Sequence, residues 1–154
     1  MNFNRFETDQ DKNVIYLNLN NCRLEDLSPI SNHILSIENL NELNLHSNFL
    51  ETLSDNFSRL KVKKLNLGSN FLKEIPECIF GISTLEEVYL NDNLLENISS
   101  NIEELKNLKK INLYHNKLRE IPEELLNLEN LTEIDVRENP LTKRIQKENC
   151  RIIY

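Results

Sequence analysis

The sequence predicts an α/β solenoid, a curved right-handed coil with a parallel β-sheet on its concave face and short helical or 3-10 turns on its convex face. Three observations lead to this prediction. One eleven-position apolar pattern occurs six times, its copies begin 22 to 26 residues apart, and the central apolar residues of each copy alternate as in a half-buried strand. A single unit cannot bury its apolar edge alone, so successive units must stack.

The six copies share the pattern apolar-x-x-apolar-x-apolar-x-x-(Asn/Cys)-x-Leu. They are VIYLNLNNCRL (14–24), LNELNLHSNFL (40–50), VKKLNLGSNFL (62–72), LEEVYLNDNLL (85–95), LKKINLYHNKL (108–118) and LTEIDVRENPL (131–141). This pattern resembles that of the leucine-rich-repeat family over nearly the whole chain. The later linkers resemble the 23-residue typical repeats of short intracellular members, and the longer first linker resembles phosphatase-regulator-type repeats. The resemblance implies a solenoid that binds proteins.

The elements follow in chain order within one predicted domain, residues 1–154. Residues 1–13 are expected to form an N-terminal cap or an imperfect coil, with Phe3 and Phe6 covering the first repeat. Residues 14–141 hold the six repeats, and apolar residues three or four positions apart in the later linkers predict the helical turns. Residues 142–154 break the pattern and are expected to cap the other end, which a solenoid needs for solubility. The apolar residues available for that cap are Ile145, Ile152, Ile153 and Tyr154.

The ninth position of the pattern is predicted to be structural rather than catalytic. The chain turns sharply there and leaves backbone polar groups buried, and an amide side chain can both donate to and accept from them. A small thiol is a common substitute in such a column, so the first member is expected to be structural as well. The predicted Asn/Cys ladder is Cys22, Asn48, Asn70, Asn93, Asn116 and Asn139.

Composition excludes several classes of function. The chain has 27 Leu, 15 Ile and 25 Asn but only two Gly and no Ala, which is unlike an ordinary α/β enzyme. A net charge of −7 argues against nucleic acid and anionic membranes as partners. There is no apolar run long enough to span a membrane, and the start lacks a secretory signal. Three scattered cysteines do not form a disulfide framework, which favours a reducing compartment, so we expect the protein in the cytoplasm or in the nucleus. We also expect a monomer.

No residue pattern indicates catalysis. The three histidines lack a second ligand at metal-binding spacing, and both glycines are isolated. Ser and Cys have no evident base partner. We therefore expect no enzymatic activity, no metal and no cofactor. Three Asn-x-Ser/Thr sequences arise easily among 25 asparagines, and without a signal sequence we expect them to be unused.

The outward positions of the strands alternate in charge between neighbouring coils. This alternation predicts two ladders of ion pairs, Lys63–Glu86–Lys109 and Lys64–Glu87–Lys110–Glu133. The ladders neutralise themselves in one interpretation, which the regular alternation favours. In the other they form a charged docking strip that selects a partner.

Tyr and Arg on the concave face mark the candidate binding residues, because both are enriched at binding hot spots. Beyond the first repeat, these residues lie on the fourth to sixth coils. The equal alternative is that they only shield the sheet. The predicted partner-binding residues are Tyr89, Asn91, Asp92, Lys110, Tyr114, His115, Arg137 and Glu138. The leading hypothesis is a module that binds a protein or peptide. The alternatives are a regulatory subunit of an intracellular enzyme, in phosphatase or small-GTPase signalling, and a secreted or effector-type recognition protein.

Overall fold

The computed structural model describes residues 5–154, which contain eight strands in one sheet whose spatial order follows the chain. Strands β2 to β8 pair in parallel, as predicted for the repeats, whereas β1 pairs antiparallel to β2. The predicted fold class is confirmed. The strands are β1 (Phe6–Thr8), β2 (Val14–Asn18), β3 (Glu42–Asn44), β4 (Lys64–Asn66), β5 (Glu87–Tyr89), β6 (Lys110–Asn112), β7 (Glu133–Asp135) and β8 (Arg151–Ile153).

The return segments carry the predicted helical turns. The longest linker holds an eight-residue helix, α1 (Ser28–Leu35), which has a proline in its first turn. The shorter linkers hold five-residue 3-10 helices at Asp55–Arg59, Glu77–Gly81 and Ser100–Glu104, and the four-residue helix α2 (Glu123–Leu126). A 3-10 helix rises further per residue than an α-helix, so it spans the coil with fewer residues.

The core is one continuous apolar cluster between the sheet and the helical turns. Leu17 of β2 and the central residue of each strand from β3 to β8 contribute to it, and the register places these residues side by side from coil to coil. In each strand from β3 to β7 this residue is at most 2% exposed. The aligned core residues are Leu17, Leu43, Leu65, Val88, Ile111, Ile134 and Ile152.

The two ends of the solenoid are closed differently. At the N-terminus β1 and β2 form a hairpin rather than a further coil, and Asp9 stabilises its turn by accepting the N–H groups of Asp11 and Asn13, both at 2.9 Å. The expectation that Phe6 covers the first repeat is wrong, because Phe6 is 56% exposed. Phe3 lies outside the described residues.

At the C-terminus residues 142–154 fold back onto the last coil. Ile145 and Ile152 pack against the core, and Lys147 Nζ donates to the carbonyl oxygen of Leu126 at 2.7 Å. The backbone of Thr142 also donates to the carbonyl of Arg119 at 2.9 Å. Within residues 5–154, no helix has the length and apolar character required to cross a membrane.

Candidate functional site

The asparagines of the Asn/Cys ladder join neighbouring coils through their amides. In Asn70, Nδ2 donates to the carbonyls of Leu45 in the preceding coil (3.1 Å) and Leu67 in its own coil (2.9 Å), and Oδ1 accepts the N–H of Leu50 (3.1 Å). The equivalent contacts occur at Asn48, Asn93, Asn116 and Asn139. These amides satisfy backbone groups inside the turns, where an unsatisfied group costs about 1–3 kcal/mol.

A second column of polar side chains lies in the middle of the concave face. Oδ1 of Asn66 accepts the N–H of Gly68, two residues further on, at 3.0 Å. In a continued parallel ladder that N–H would bond the carbonyl of Leu45. The side-chain contact therefore leaves this carbonyl for the ladder amides. The other residues with this contact are Asn18, Asn44, Asn112 and Asp135.

The residue before each ladder position adopts a left-handed backbone conformation, which the sequence analysis did not anticipate. None of these residues is glycine, although the conformation costs most other residues about 1–2 kcal/mol. It produces the sharp turn that follows each of the six repeat strands, β2 to β7. The six residues have φ values between 51° and 55° and are Asn21, Ser47, Ser69, Asp92, His115 and Glu138.

Gly68 is not needed for a left-handed backbone conformation, because its φ is not positive. The side chains of His46 and Asn91 close over it from the two neighbouring strands. A Cβ at this position would lie 2.8 Å from His46 Nδ1 and 2.8 Å from Asn91 Oδ1. The absence of a side chain at Gly68 thus lets two polar side chains approach each other across the concave face.

One of the two predicted charge ladders forms completely. Glu86 pairs with Lys63 at 3.6 Å and also with Lys109. The Lys109 hydrogen bond lowers the pKa of Glu86 against the opposing effect of burial. The second ladder is interrupted. Lys64 pairs with Glu87 at 3.4 Å, but the next acid, Glu133, pairs with Arg151 at 3.6 Å instead. The prediction of ion pairs at Lys110 is wrong, because this lysine is exposed and has no carboxylate within 4.0 Å among residues 5–154.

An aromatic and charged cluster lies on the sixth coil and its neighbour. The Arg137 guanidinium is 5.3 Å from the centre of the Tyr114 ring, within the range of a cation–π contact. Its Nε and Nη2 donate to the two carboxylate oxygens of Asp135 at 3.0 and 2.7 Å. Asp135 is only 7% exposed, so this bidentate pair satisfies a buried charge and also raises the pKa of Arg137. The arginine is therefore held in place while half of its side chain remains exposed.

A polar chain continues from this cluster towards the fourth and fifth coils. His115 lies beside Tyr114, with ring centres 5.8 Å apart, and its Nδ1 is 2.8 Å from Oδ1 of Asp92. The other carboxylate oxygen of Asp92 accepts from Asn91 Nδ2 at 2.8 Å. Burial acts to raise the pKa of Asp92, but the hydrogen bonds from Asn91 and His115 outweigh it and lower the pKa.

Tyr89 departs from the rule that governs its column. In the other coils this position holds Asn or Asp, whose side chain accepts the N–H two residues further on. The hydroxyl of Tyr89 instead donates to Oε2 of Glu87 at 2.8 Å. The N–H of Asn91 consequently has no acceptor among the protein groups that the structure describes. Burial first, and then the hydrogen bond and charge of Glu87, raise the pKa of Tyr89 to about 12. Tyr89 stays a neutral hydroxyl at physiological pH, in a position where the fold itself favours asparagine.

The structure therefore connects five of the eight predicted partner-binding residues: Asn91, Asp92, Tyr114, His115 and Arg137. Tyr89 lies opposite Asn112 in the register, which makes Tyr114 its diagonal neighbour, but its hydroxyl points to Glu87. Lys110 and Glu138 are exposed beside the connected residues. Asp135, which the sequence analysis did not select, is what holds Arg137. The sequence could have indicated this pair, because two residues that are two positions apart along a strand lie on the same face.

The thiols and possible metal ligands offer no arrangement for chemistry among residues 5–154. Burial raises the pKa of Cys78 to about 11, so its thiol is protonated at neutral pH. The Sγ of Cys22 lies 2.9 Å from Arg5 Nη1 at the edge of the first turn. In the described part of the chain, no three His, Cys, Asp or Glu side chains converge as a metal site would require.

Comparisons with known proteins agree with this architecture. Residues 83–141 match the sequence family described as leucine-rich repeat. A leucine-rich-repeat protein of Leptospira interrogans, LIC12759, has a similar structure with a TM-score of 0.62 and 25% identity, covering 79% of this chain and 38% of that one. No curated protein sequence matches the chain.

Two further solved structures share the fold. The leucine-rich-repeat domain of APL1B has a TM-score of 0.68 at 22% identity, covering 81% of this chain and 38% of that one. The internalin inlF of Listeria monocytogenes has a TM-score of 0.71 at 21% identity, covering 89% and 40%. The chain spans about two fifths of the length of these structures.

Residues 83–141 thus match the leucine-rich-repeat family, and the parallel sheet of repeats is similar to the fold of these leucine-rich-repeat structures. Leucine-rich-repeat folds are a common protein–protein interaction module, and their members are typically binding scaffolds rather than enzymes.

Proposed function

We propose that this chain is a non-enzymatic binding module that holds a protein or peptide against its concave sheet. Its contact patch, defined as Tyr89, Tyr114, His115 and Arg137, lies on the fourth to sixth coils. The observation that carries the proposal is the stacked pair of Tyr114 and Arg137. Asp135 orients the guanidinium from below, so the pair offers an aromatic face and a cation with little side-chain entropy left to lose on binding.

The residue type at position 89 is a second, independent argument for the proposal. This position favours Asn for stability, since an Asn would accept the N–H of Asn91 as in the other coils. Tyr89 instead bonds Glu87 and leaves that N–H without an acceptor among the described residues, and a residue that departs from a local structural rule in this way is a candidate for function. The corresponding outward positions of the second and third coils hold mostly Asn, Ser and Gly, which are poor hot-spot residues.

Affinity capture from native lysate, with the co-eluting protein identified by mass spectrometry, tests the proposal. Truncation of a hot-spot aromatic typically costs about 2 kcal/mol or more, which is about thirtyfold in affinity. The double variant Tyr89→Ala/Tyr114→Ala should therefore lose the partner while keeping the circular dichroism spectrum of the wild type. The matched control is Glu103→Ala/Glu123→Ala on the convex face, where both side chains are exposed. Loss of the partner in the control but not in the tyrosine variant would refute the concave assignment.

A further inference from the structure

A surface pocket with a cavity volume of about 300 Å³ lies where the last coil meets the C-terminal segment. We call it the basic pocket and define it by Arg137, Lys143, Arg144 and Tyr154, which line it together with one acid, Glu138. Such a volume is at the lower end of the range of ligand pockets, so it suits a few side chains rather than a folded surface.

Two of the three cations of the basic pocket, Lys143 and Arg144, are not neutralised by the fold. Among residues 5–154, neither Lys143 nor Arg144 has a carboxylate within 4.0 Å. Arg137, which also lines the pocket, uses Nε and Nη2 for Asp135, and its Nη1 has no hydrogen-bond partner among the described residues. The site thus has two whole cationic groups and one partly engaged guanidinium facing a common space.

The wall of the basic pocket is held in place by specific contacts. The hydroxyl of Tyr154 donates to the carbonyl of Ile145 and accepts its N–H, both at 2.6 Å. The fixed ring supports Arg144, whose guanidinium lies 5.2 Å from the ring centre. A guanidinium stacked on an aromatic face keeps its in-plane donors available, and their fork matches a carboxylate. The pocket is therefore organised before a ligand arrives.

Charge is segregated along the chain in a way that favours one class of anion. The last 13 residues have four cations and one acid, a net charge of +3, whereas the preceding 141 residues have a net charge of −10. A long polyanion such as a nucleic acid, or an anionic membrane, would have to approach that negative surface. A short acidic segment can occupy the pocket alone.

We propose that the basic pocket binds an acidic peptide segment of a partner protein, with its carboxylates paired to Lys143 and Arg144. The pocket adjoins the contact patch through Arg137 but does not depend on it, because its two unneutralised cations and its tyrosine lie in the C-terminal segment.

Fluorescence anisotropy with a fluorescein-labelled octapeptide of alternating Asp and Glu tests this proposal. Lys143→Gln/Arg144→Gln should weaken binding at least about tenfold, since two charge-assisted contacts are lost. The matched control Lys61→Gln/Lys106→Gln removes the same net charge from exposed positions elsewhere and should stay within about twofold of the wild type. Tyr89→Ala should also leave this affinity unchanged, which separates the pocket from the contact patch.

Three results would overturn the proposal. One is equal weakening by the two double variants, which would indicate a response to net charge only. Another is failure of the wild-type protein to bind the acidic octapeptide more tightly than the matching Asn/Gln octapeptide. The third is tighter binding of octathymidylate or of phosphatidylserine vesicles, which would assign the pocket to nucleic acid or membrane. Urea unfolding of each variant verifies that the fold is retained.

Discussion

Replacement of Asn93 by Ala should destabilise the solenoid far more than replacement of Asn91, although the two residues are only two positions apart. Asn93 is 6% exposed, and its Nδ2 donates to the carbonyls of Leu67 (3.0 Å) and Leu90 (3.1 Å). Its Oδ1 accepts the N–H of Leu72 at 3.0 Å. The amide of Asn91 is half-buried on the concave face and donates to an adjacent side chain.

The magnitude follows from which groups lose their last partner. In Asn93→Ala the carbonyls of Leu67 and Leu90 each keep the amide of another ladder asparagine. The buried N–H of Leu72 keeps no acceptor, which costs about 1–3 kcal/mol. The small cavity left by the amide adds about 1 kcal/mol. We therefore expect a loss of about 2–4 kcal/mol, against at most about 0.5 kcal/mol for Asn91→Ala.

Equilibrium unfolding in urea, followed by circular dichroism, measures the difference. With a slope of about 2 kcal/mol per molar urea, the midpoint of Asn93→Ala should fall by about 1–2 M. Asn93→Asp is a second, isosteric variant that should be at least as unstable as Asn93→Ala, because it places a carboxylate oxygen against backbone carbonyls. Equal midpoints for Asn93→Ala and Asn91→Ala, or a stable Asn93→Asp, would refute the reasoning.

Three further predictions concern the concave face. Tyr89→Asn should be about 1 kcal/mol more stable to urea than Tyr89→Ala, because only Asn can accept the N–H of Asn91; equal stabilities would contradict this. Ser69 has a φ of 54°, a left-handed conformation that strains a β-branched residue but not glycine. The free energy of unfolding of Ser69→Val should therefore be about 1–2 kcal/mol lower than that of Ser69→Gly in the same assay, and the reverse order would contradict this. Because the pKa of Asp92 lies below its ordinary value of 3.8, its stabilisation is complete above that pH and is lost as pH falls through the lowered pKa. Asp92→Asn should therefore show a shallower loss of urea stability at acid pH than the wild type, and identical slopes would count against this role.

The sequence was sufficient to predict the six repeat strands, β2 to β7, because the repeat is a strong and local signal, whereas the terminal strands β1 and β8 lie outside the repeat and were not predicted. The alternation around Leu43 or Ile111 defines the inward face, and the near-constant period requires parallel pairing of successive strands. The apolar spacing in the later linkers predicts the helical turns behind the strands, but it does not separate α-helix from 3-10 helix. None of these inferences needs the position of an individual side chain.

The features that the sequence could not predict depend on side-chain conformation or on contacts between coils. The left-handed residues include Ser69 and Glu138, types that show no preference for that conformation. The pairing of Arg137 with Asp135, and the interruption of the second charge ladder, depend on which of several available partners a long side chain takes. The exposed, stacked rings of Phe49 and Phe71, 5.9 Å apart, likewise arise only once the turns lie side by side.

Photo-cross-linking tests the central claim most directly, because it reports contact rather than affinity. A benzophenone amino acid at Tyr114 is directed from the concave face, and the same group at Glu103 is directed from an exposed convex position. After illumination in native lysate, the account predicts a discrete covalent adduct from position 114 that is absent or much weaker from position 103. An adduct formed mainly from position 103 would contradict the account and assign binding to the convex surface.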